Sequence, residues 1–130
     1  MFNHLTIGSN DIDASEQFYN AVLAVLGVGE AIRNQNAKGH HRLFYRSPEG
    51  VLMITQPVND EPATVANGGT IAFKCSSPEQ VVDFHDTAVQ QGGLSIEDAP
   101  GWRGAEGTGL FLAYVRDPDG HKLCAVYRPA

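Results

Sequence analysis

The sequence repeats itself once, and this repeat restricts the folds available to the chain. The stretch HLTIGSNDIDASEQFYNAVLAVLG, residues 4–27, aligns with TIAFKCSSPEQVVDFHDTAVQQGG, residues 70–93, at a constant offset of 66 positions. Each copy opens with the apolar–polar alternation typical of a strand and continues with apolar residues at helical spacing up to a glycine. The repeat therefore predicts two similar modules, each beginning with a strand and a helix.

Local signals support a helix in each copy. Asp11 is the predicted N-cap of the first helix, and Ser77 of the second, where Pro78 occupies the first helical position and Gln80 completes a capping box. The apolar stripe of each helix is centred on Phe18 or Phe84. A phenylalanine at helical spacing is typical of a hydrophobic core, so these residues are predicted to be buried.

Each half also ends alike. SPEG at 47–50 and DPDG at 117–120 have the residue pattern of a type I turn, and each lies between β-like runs. The predicted fold is therefore α+β, with two βαβββ modules forming a cupped, partly open mixed sheet and the helices on its outer face. The chain is interpreted as one domain, 1–130, with module one at 1–57, a polar linker rich in Pro and Gly at 58–69, and module two at 70–130.

The helices can cover only one face of such sheets, so the other face is predicted to line a cavity where the modules meet. Because side chains alternate along a strand, apolar residues on the helix side leave their neighbours for the cavity. Alignment of the last strands from their turn glycines matches Cys124 with Ile54, and Gln56 lies one pleat further on. The predicted cavity residues on strands are His4, Thr6, Ile54, Gln56, Thr70 and Cys124.

A glycine-rich segment, APGWRGAEGTG at 99–109, carries the only tryptophan of the chain, Trp102, followed by Arg103. It lacks the GK[ST] ending of a phosphate-binding loop. Trp102 and Arg103 suit a loop that covers a cavity by stacking and by a charge-assisted bond to a carboxylate. The alternative is a surface loop with Trp102 packed on the core, and the sequence does not choose between the two.

Composition excludes several classes of partner. The net charge is −6 and no Lys/Arg cluster exists, so neither nucleic acid nor an anionic membrane is an expected partner. No apolar run reaches the roughly 20 residues of a membrane span. The N-terminal residues contain no signal-like segment, and the two cysteines form no CxxC pair. The expected location is the cytoplasm, with both thiols reduced.

The chain resembles a known family, the vicinal oxygen chelate superfamily, which includes glyoxalase I, extradiol dioxygenases and bleomycin-resistance proteins. The resembling stretches are FNHLTIGSNDIDASEQFYNAVLAVLG, GGTIAFKCSSPEQVVDFH, APGWR and YVRDPDGHKLCAVYRP. The resemblance implies paired βαβββ modules with a cupped sheet, and frequent homodimers. The fold hosts many chemistries, so the resemblance alone specifies no activity.

Metal-using members of this family place ligands on the first and last strands of each module. The resemblance carries these positions onto His4, Thr70, Cys124 and either Ile54 or Gln56. Relatives often have His in place of Thr70 and Glu in place of Cys124, so only His4 is a strong ligand of the usual kind. The sequence specifies no cofactor, and a divalent metal held by His4, Gln56 and Cys124 stays open as an alternative.

Two functional hypotheses follow from these residues. The first is a protein that binds a small organic molecule in the cavity, with or without catalysis, and lacks the family's usual metal site. Cys124 is then a small buried apolar residue. The alternative is a metal-dependent lyase, isomerase or dioxygenase that uses His4, Gln56 and Cys124. The sequence does not identify the ligand or substrate and does not decide whether the protein is an enzyme.

Overall fold

The computed structural model describes all 130 residues of the chain. Eight strands and two helices follow one another in the order predicted from the repeat. They are β1 (His4–Gly8), α1 (Ile12–Val25), β2 (Ile32–Gln35), β3 (His41–Ser47), β4 (Gly50–Thr55), β5 (Ile71–Lys74), α2 (Pro78–Gln90), β6 (Leu94–Arg103), β7 (Leu110–Arg116) and β8 (Lys122–Tyr127). Each half is a βαβββ module.

The strands form two four-stranded mixed sheets of matching topology. The strand order is β1-β4-β3-β2 in the first sheet and β5-β8-β7-β6 in the second. In each sheet the first and last strands of the module pair in parallel, and the other pairs are antiparallel. The α+β class and the paired βαβββ modules are confirmed, and the sheets are not closed, which is consistent with a cupped arrangement.

One hydrophobic core joins the two modules. Helices α1 and α2 contact each other, and a single cluster of 17 buried apolar residues draws on both modules. Phe18 and Phe84 are both completely buried within this cluster, as their helical spacing predicted. No helix of the chain is both long enough and apolar enough to cross a bilayer.

The predicted helix caps are present, with one difference. Asp11 Oδ1 accepts a hydrogen bond from the Ala14 backbone N–H at 3.1 Å, and Ser77 Oγ accepts one from Gln80 at 3.1 Å. The Gln80 side chain does not return to the cap residue: its Oε1 accepts from the Ser76 N–H at 2.7 Å, and its Nε2 donates to the Val25 carbonyl at 2.9 Å. Gln80 thereby ties the start of α2 to the end of α1.

The DPDG turn of module two is bonded to module one. Tyr19 Oη donates to Asp117 Oδ2 at 2.6 Å, and Ser15 Oγ donates to Asp119 Oδ2 at 3.2 Å. His121 Nε2 hydrogen-bonds the Gly8 carbonyl at 2.7 Å. Because buried polar groups need such partners, this network fixes the second turn against the first strand and helix.

Candidate functional site

The face of each sheet that points away from the hydrophobic core is called the open face here, and no helix or strand packs on it. In the first sheet His4 pairs with Val51 and Thr6 with Met53, while the alternate residues of β4, Leu52 and Ile54, point into the core. Paired residues share a face. His4 and Thr6 therefore lie on the open face, as strand alternation predicted, and both are exposed.

The predicted placement of Ile54 on the cavity face is wrong. Ile54 pairs with Ile7, is 1% exposed and belongs to the hydrophobic core. The alignment from the turn glycines failed because the second turn is longer. Ser47 pairs with Gly50 in module one, whereas the corresponding Asp117 N–H bonds the carbonyl of His121. The true counterpart of Cys124 is Met53, because Met53 pairs with Thr6 and Cys124 pairs with Ala72, and these two partners are equivalent positions of the repeat.

Gln56 is also not where the prediction placed it. It follows β4 with the parity of Ile54, and its Oε1 accepts a hydrogen bond from the His41 N–H at 2.7 Å. His4 pairs with Val51, five residues earlier along β4, which puts the two positions roughly 16 Å apart along the strand. The structure of one chain therefore does not bring His4, Gln56 and Cys124 together.

Cys124 lies on the open face of the second sheet, as predicted. It pairs with Ala72 on one side and with Tyr114 on the other, and it is absent from the helix-side core although only 4% of it is exposed. Burial raises the pKa of Cys124, against the hydrogen bond with Tyr114 and the nearby charges of Lys122 and Arg103, which lower it. A buried thiol held in its neutral form fits packing better than nucleophilic chemistry.

Two residues near Cys124, Tyr114 and Glu97, were missed by the sequence reasoning. Lys122 Nζ lies 4.5 Å from the centre of the Tyr114 ring and pairs with Glu97 Oε2 at 2.5 Å. Glu97 has a positive φ of 61° in an irregular stretch of β6 between Ile96 and Gly101. Burial raises the pKa of Tyr114. Tyr114 could have been found by applying strand alternation to β7, the strand next to that of Cys124. No sequence signal marks the irregular stretch of β6 that brings Glu97 to Lys122.

Trp102 and Arg103 belong to strand β6 and not to a free loop. Trp102 pairs with Phe111, and the centres of their rings lie 5.4 Å apart in an edge-to-face arrangement. The centre of the Tyr127 ring lies 6.5 Å from that of Trp102. Phe111 and Tyr127 pack against the core, so Trp102 lies on the core side as in the alternative interpretation, but on a strand and not on a surface loop. The Arg103 guanidinium donates to the backbone carbonyls of residues 98, 99 and 101, which stabilises the bulge.

A cleft of about 510 Å³ lies where the two modules meet. It is called the junction cleft here, and it is bounded by strands β1 and β5, the two edge strands on this side of their sheets. His4 is the only predicted site residue that lines it. Other residues that line it include Phe2, Leu5, Arg46, Glu49, Phe73 and Lys74.

Thr70 lies elsewhere, beside a second cavity of about 420 Å³. This cavity is formed by linker residues 65–69 together with Arg116, Asp119 and Lys122. Thr70 is exposed and precedes β5 by one residue. The positions predicted from the family ligand pattern are therefore divided between different parts of the molecule, and His4 and Thr70 do not share a cavity.

The residues present do not fit the divalent metal that the family resemblance implied. No group of three His, Cys, Asp or Glu side chains is close enough to hold an ion. On the open faces His4 is in the first sheet and Cys124 in the second, and no Cα of β1 lies within 8 Å of a Cα of β5. One imidazole and one buried thiol are a poor donor set for the iron, manganese or nickel of such sites.

Comparison with known proteins shows the family of this fold. The profile described as Glyoxalase/Bleomycin resistance protein/Dioxygenase superfamily matches residues 1–125. The chain therefore belongs to that superfamily, as the sequence motifs indicated. No curated protein matches the sequence significantly.

Solved structures agree with the assignment. A glyoxalase/bleomycin resistance protein from Albidiferax ferrireducens T118 is 46% identical, with 99% of each chain covered and a TM-score of 0.90. A glyoxalase-related enzyme from Fulvimarina pelagi is 21% identical, covering 98% of this chain and 88% of that one, with a TM-score of 0.72. A lactoylglutathione lyase from Agrobacterium tumefaciens is 18% identical, covering 98% and 92%, with a TM-score of 0.63. The last two likenesses show the fold alone.

Proposed function

We propose that this protein binds a small organic molecule in the junction cleft, without the metal site that the family commonly uses. The observation that carries the proposal is the cleft itself. Its volume of about 510 Å³ falls in the range of small-molecule sites, and apolar side chains such as Leu5 and Phe73 line it together with a few polar groups. His4 is one of these polar groups, and it is a strand residue on a fixed backbone.

The chemistry of the donor groups supports binding without a metal. The family-type ligand positions hold a threonine and a thiol in place of imidazole and carboxylate, and burial raises the pKa of that thiol. A cysteine thiol binds a metal as the thiolate, and a histidine binds it as the neutral imidazole. A neutral thiol therefore offers little to a hard divalent ion.

We further propose that the protein works as a homodimer. Strands β1 and β5 are unpaired edges of their sheets, and they border the junction cleft. Phe2 and Leu5 beside this edge are 67% and 40% exposed. Unpaired edges with exposed apolar residues are normally covered, and a two-fold partner could cover both edges at once. Light scattering across a range of concentrations tests this proposal, and a monomer mass at every concentration would contradict it.

The cytoplasm is the compartment we propose. Both cysteines are buried free thiols. A reducing compartment preserves such thiols, which supports this location.

Two measurements test the binding function. A thermal-shift screen of small organic molecules should yield ligands that raise the melting temperature, because a ligand at 100 times its Kd adds about 2.7 kcal/mol to the stability. His4→Ala should weaken the binding of such a ligand, whereas His85→Ala, which removes a partly buried imidazole of α2 away from the cleft, should not. A screen in which no molecule raises the melting temperature would contradict the proposal.

Elemental analysis of the purified protein tests the proposal that no metal takes part. We expect no stoichiometric iron, manganese, nickel or zinc, and we expect ligand binding to survive treatment with a chelator. One metal ion per chain that is lost together with ligand binding would instead support the metal-dependent alternative, a lyase, isomerase or dioxygenase.

A further inference from the structure

The charges of this chain are distributed unevenly over its elements. The protein has 9 Lys and Arg against 15 Asp and Glu, yet seven of the basic residues and only two of the acidic ones lie in strands. Arg33 points to the helix side and pairs with Asp13 and Glu16. The other six basic strand residues have the parity of the open faces: Arg42, Arg46, Lys74, Arg103, Arg116 and Lys122. An acidic protein thus presents basic open faces.

Most of these cations already have partners. Lys74 pairs with Glu49 at 3.1 Å and Lys122 with Glu97 at 2.5 Å. Arg42 Nε donates to Asn34 Oδ1 at 2.9 Å. Arg46 is different: it makes no ion pair or hydrogen bond with a protein group, and its guanidinium lies 5.7 Å from the centre of the Phe44 ring.

Arg46 is also a wall of the junction cleft. The charged side chains that line the cleft are Arg46, Glu49 and Lys74. Since Glu49 and Lys74 neutralise each other, the guanidinium of Arg46 is the uncompensated charge of the cleft. Its planar fork of donors matches the oxygens of a carboxylate or phosphate.

We infer that the ligand of the junction cleft is a small organic anion. Arg46 binds its carboxylate or phosphate group, and an apolar body packs against Val51 of β4 and Ala72 of β5, which line the cleft with the same open-face parity as Arg46. This inference rests on the proposed function, because it concerns the same cleft. It adds the chemical class of the ligand and the residue that selects it.

Matched probes test the inference. Binding of benzoate, phenylacetate, hexanoate and phenyl phosphate is compared by calorimetry with that of benzamide, phenylacetamide and hexanamide, which keep the shape and lack the charge. We expect the anions to bind more tightly, and we expect Arg46→Gln to weaken them about tenfold, the value of one charge-assisted interaction. Arg128→Gln removes the same charge from the exposed C-terminal segment and should leave affinity unchanged.

A variant that is expected to tighten anion binding distinguishes a specific effect from a loss of affinity caused by misfolding. Glu49→Gln removes the carboxylate that occupies Lys74, so it should tighten the anions severalfold and leave the amides unaffected. Equal binding of acids and amides, or equal effects of Arg46→Gln and Arg128→Gln, would overturn the inference and leave the proposed function standing. If no anion and no amide binds, the proposed function itself is contradicted.

Discussion

Tyr19 and Asp117 join the two modules through a buried hydrogen bond. Tyr19 Oη, on α1 of module one, donates to Asp117 Oδ2, in the last turn of module two, at 2.6 Å. Tyr19 is completely buried and Asp117 is 4% exposed. The other oxygen of Asp117 accepts from the N–H groups of Asp119 and His121, both at 2.9 Å. One carboxyl group therefore holds its own turn closed and fastens it to the neighbouring module.

Tyr19→Phe is expected to lower the free energy of unfolding by about 1–3 kcal/mol, because it leaves a buried carboxylate oxygen without its donor. Chemical denaturation monitored by circular dichroism measures the change. Tyr127→Phe is the matched control, since the half-buried Tyr127 hydroxyl makes no hydrogen bond in the protein. Equal losses in the two variants would show that the Tyr19–Asp117 bond contributes nothing particular.

The same carboxyl group predicts a pH dependence of stability. Burial raises the pKa of Asp117 above its ordinary value of 3.8, although the hydrogen bond from Tyr19 lowers it. A raised folded-state pKa means that this group favours folding most below about pH 4, and that its contribution is lost as the pH rises through the folded-state pKa.

Asp117→Asn removes this titration, and it keeps an oxygen for the two N–H groups of the turn. The stability of the wild type relative to that of the variant should therefore decrease as the pH rises from about 3 to about 7. Urea denaturation of both proteins at a series of pH values measures this difference. A difference that grows with pH would mean that the folded protein stabilises the ionised form of Asp117.

Both thiols should resist alkylation in the folded protein. Burial raises the pKa of Cys75 to about 11 and also raises the pKa of Cys124. With a pKa of about 11 in place of the ordinary 9.0, Cys75 has about a hundredfold less thiolate than an ordinary thiol at the same pH. Iodoacetamide labelling at pH 8, followed by mass spectrometry, should be slow at both residues and fast in denaturant. Rapid labelling of Cys124 in the native protein would instead identify it as an accessible nucleophile.

Gly93, just after α2, lies in a space that admits no side chain. A Cβ there would lie 2.7 Å from the Ala88 carbonyl oxygen, 2.9 Å from that of Arg116 and 3.0 Å from Cε2 of Phe18. Gly93→Ala should therefore cost about 1–3 kcal/mol of stability through overpacking. Gly29→Ala provides the comparison, because a Cβ at Gly29 meets nothing within 4 Å. Thermal or chemical denaturation measures both, and a harmless Gly93→Ala would contradict the tight contact between α1 and the end of α2.

Much of the candidate site could be predicted from strand alternation alone. His4, Thr6 and Cys124 lie on the open faces, because a side-chain period of two follows directly from strand geometry. Ile54 was misplaced because one additional residue in the second turn changes the parity of everything after it. That residue is visible only when strand pairing is known, since SPEG and DPDG look alike as sequences.

The local pattern of the chain was sufficient for the two modules, their helices and caps, and the family, because these depend on neighbours along the sequence. Tertiary structure alone decided which residues share a cavity. His4 and Arg46 meet at the junction cleft, while Thr70 and Cys124 lie away from it. The reason is physical: packing of α1 on α2 sets the positions of the two sheets, and that contact depends on long-range burial and on the Tyr19–Asp117 bond, which no short stretch of sequence encodes.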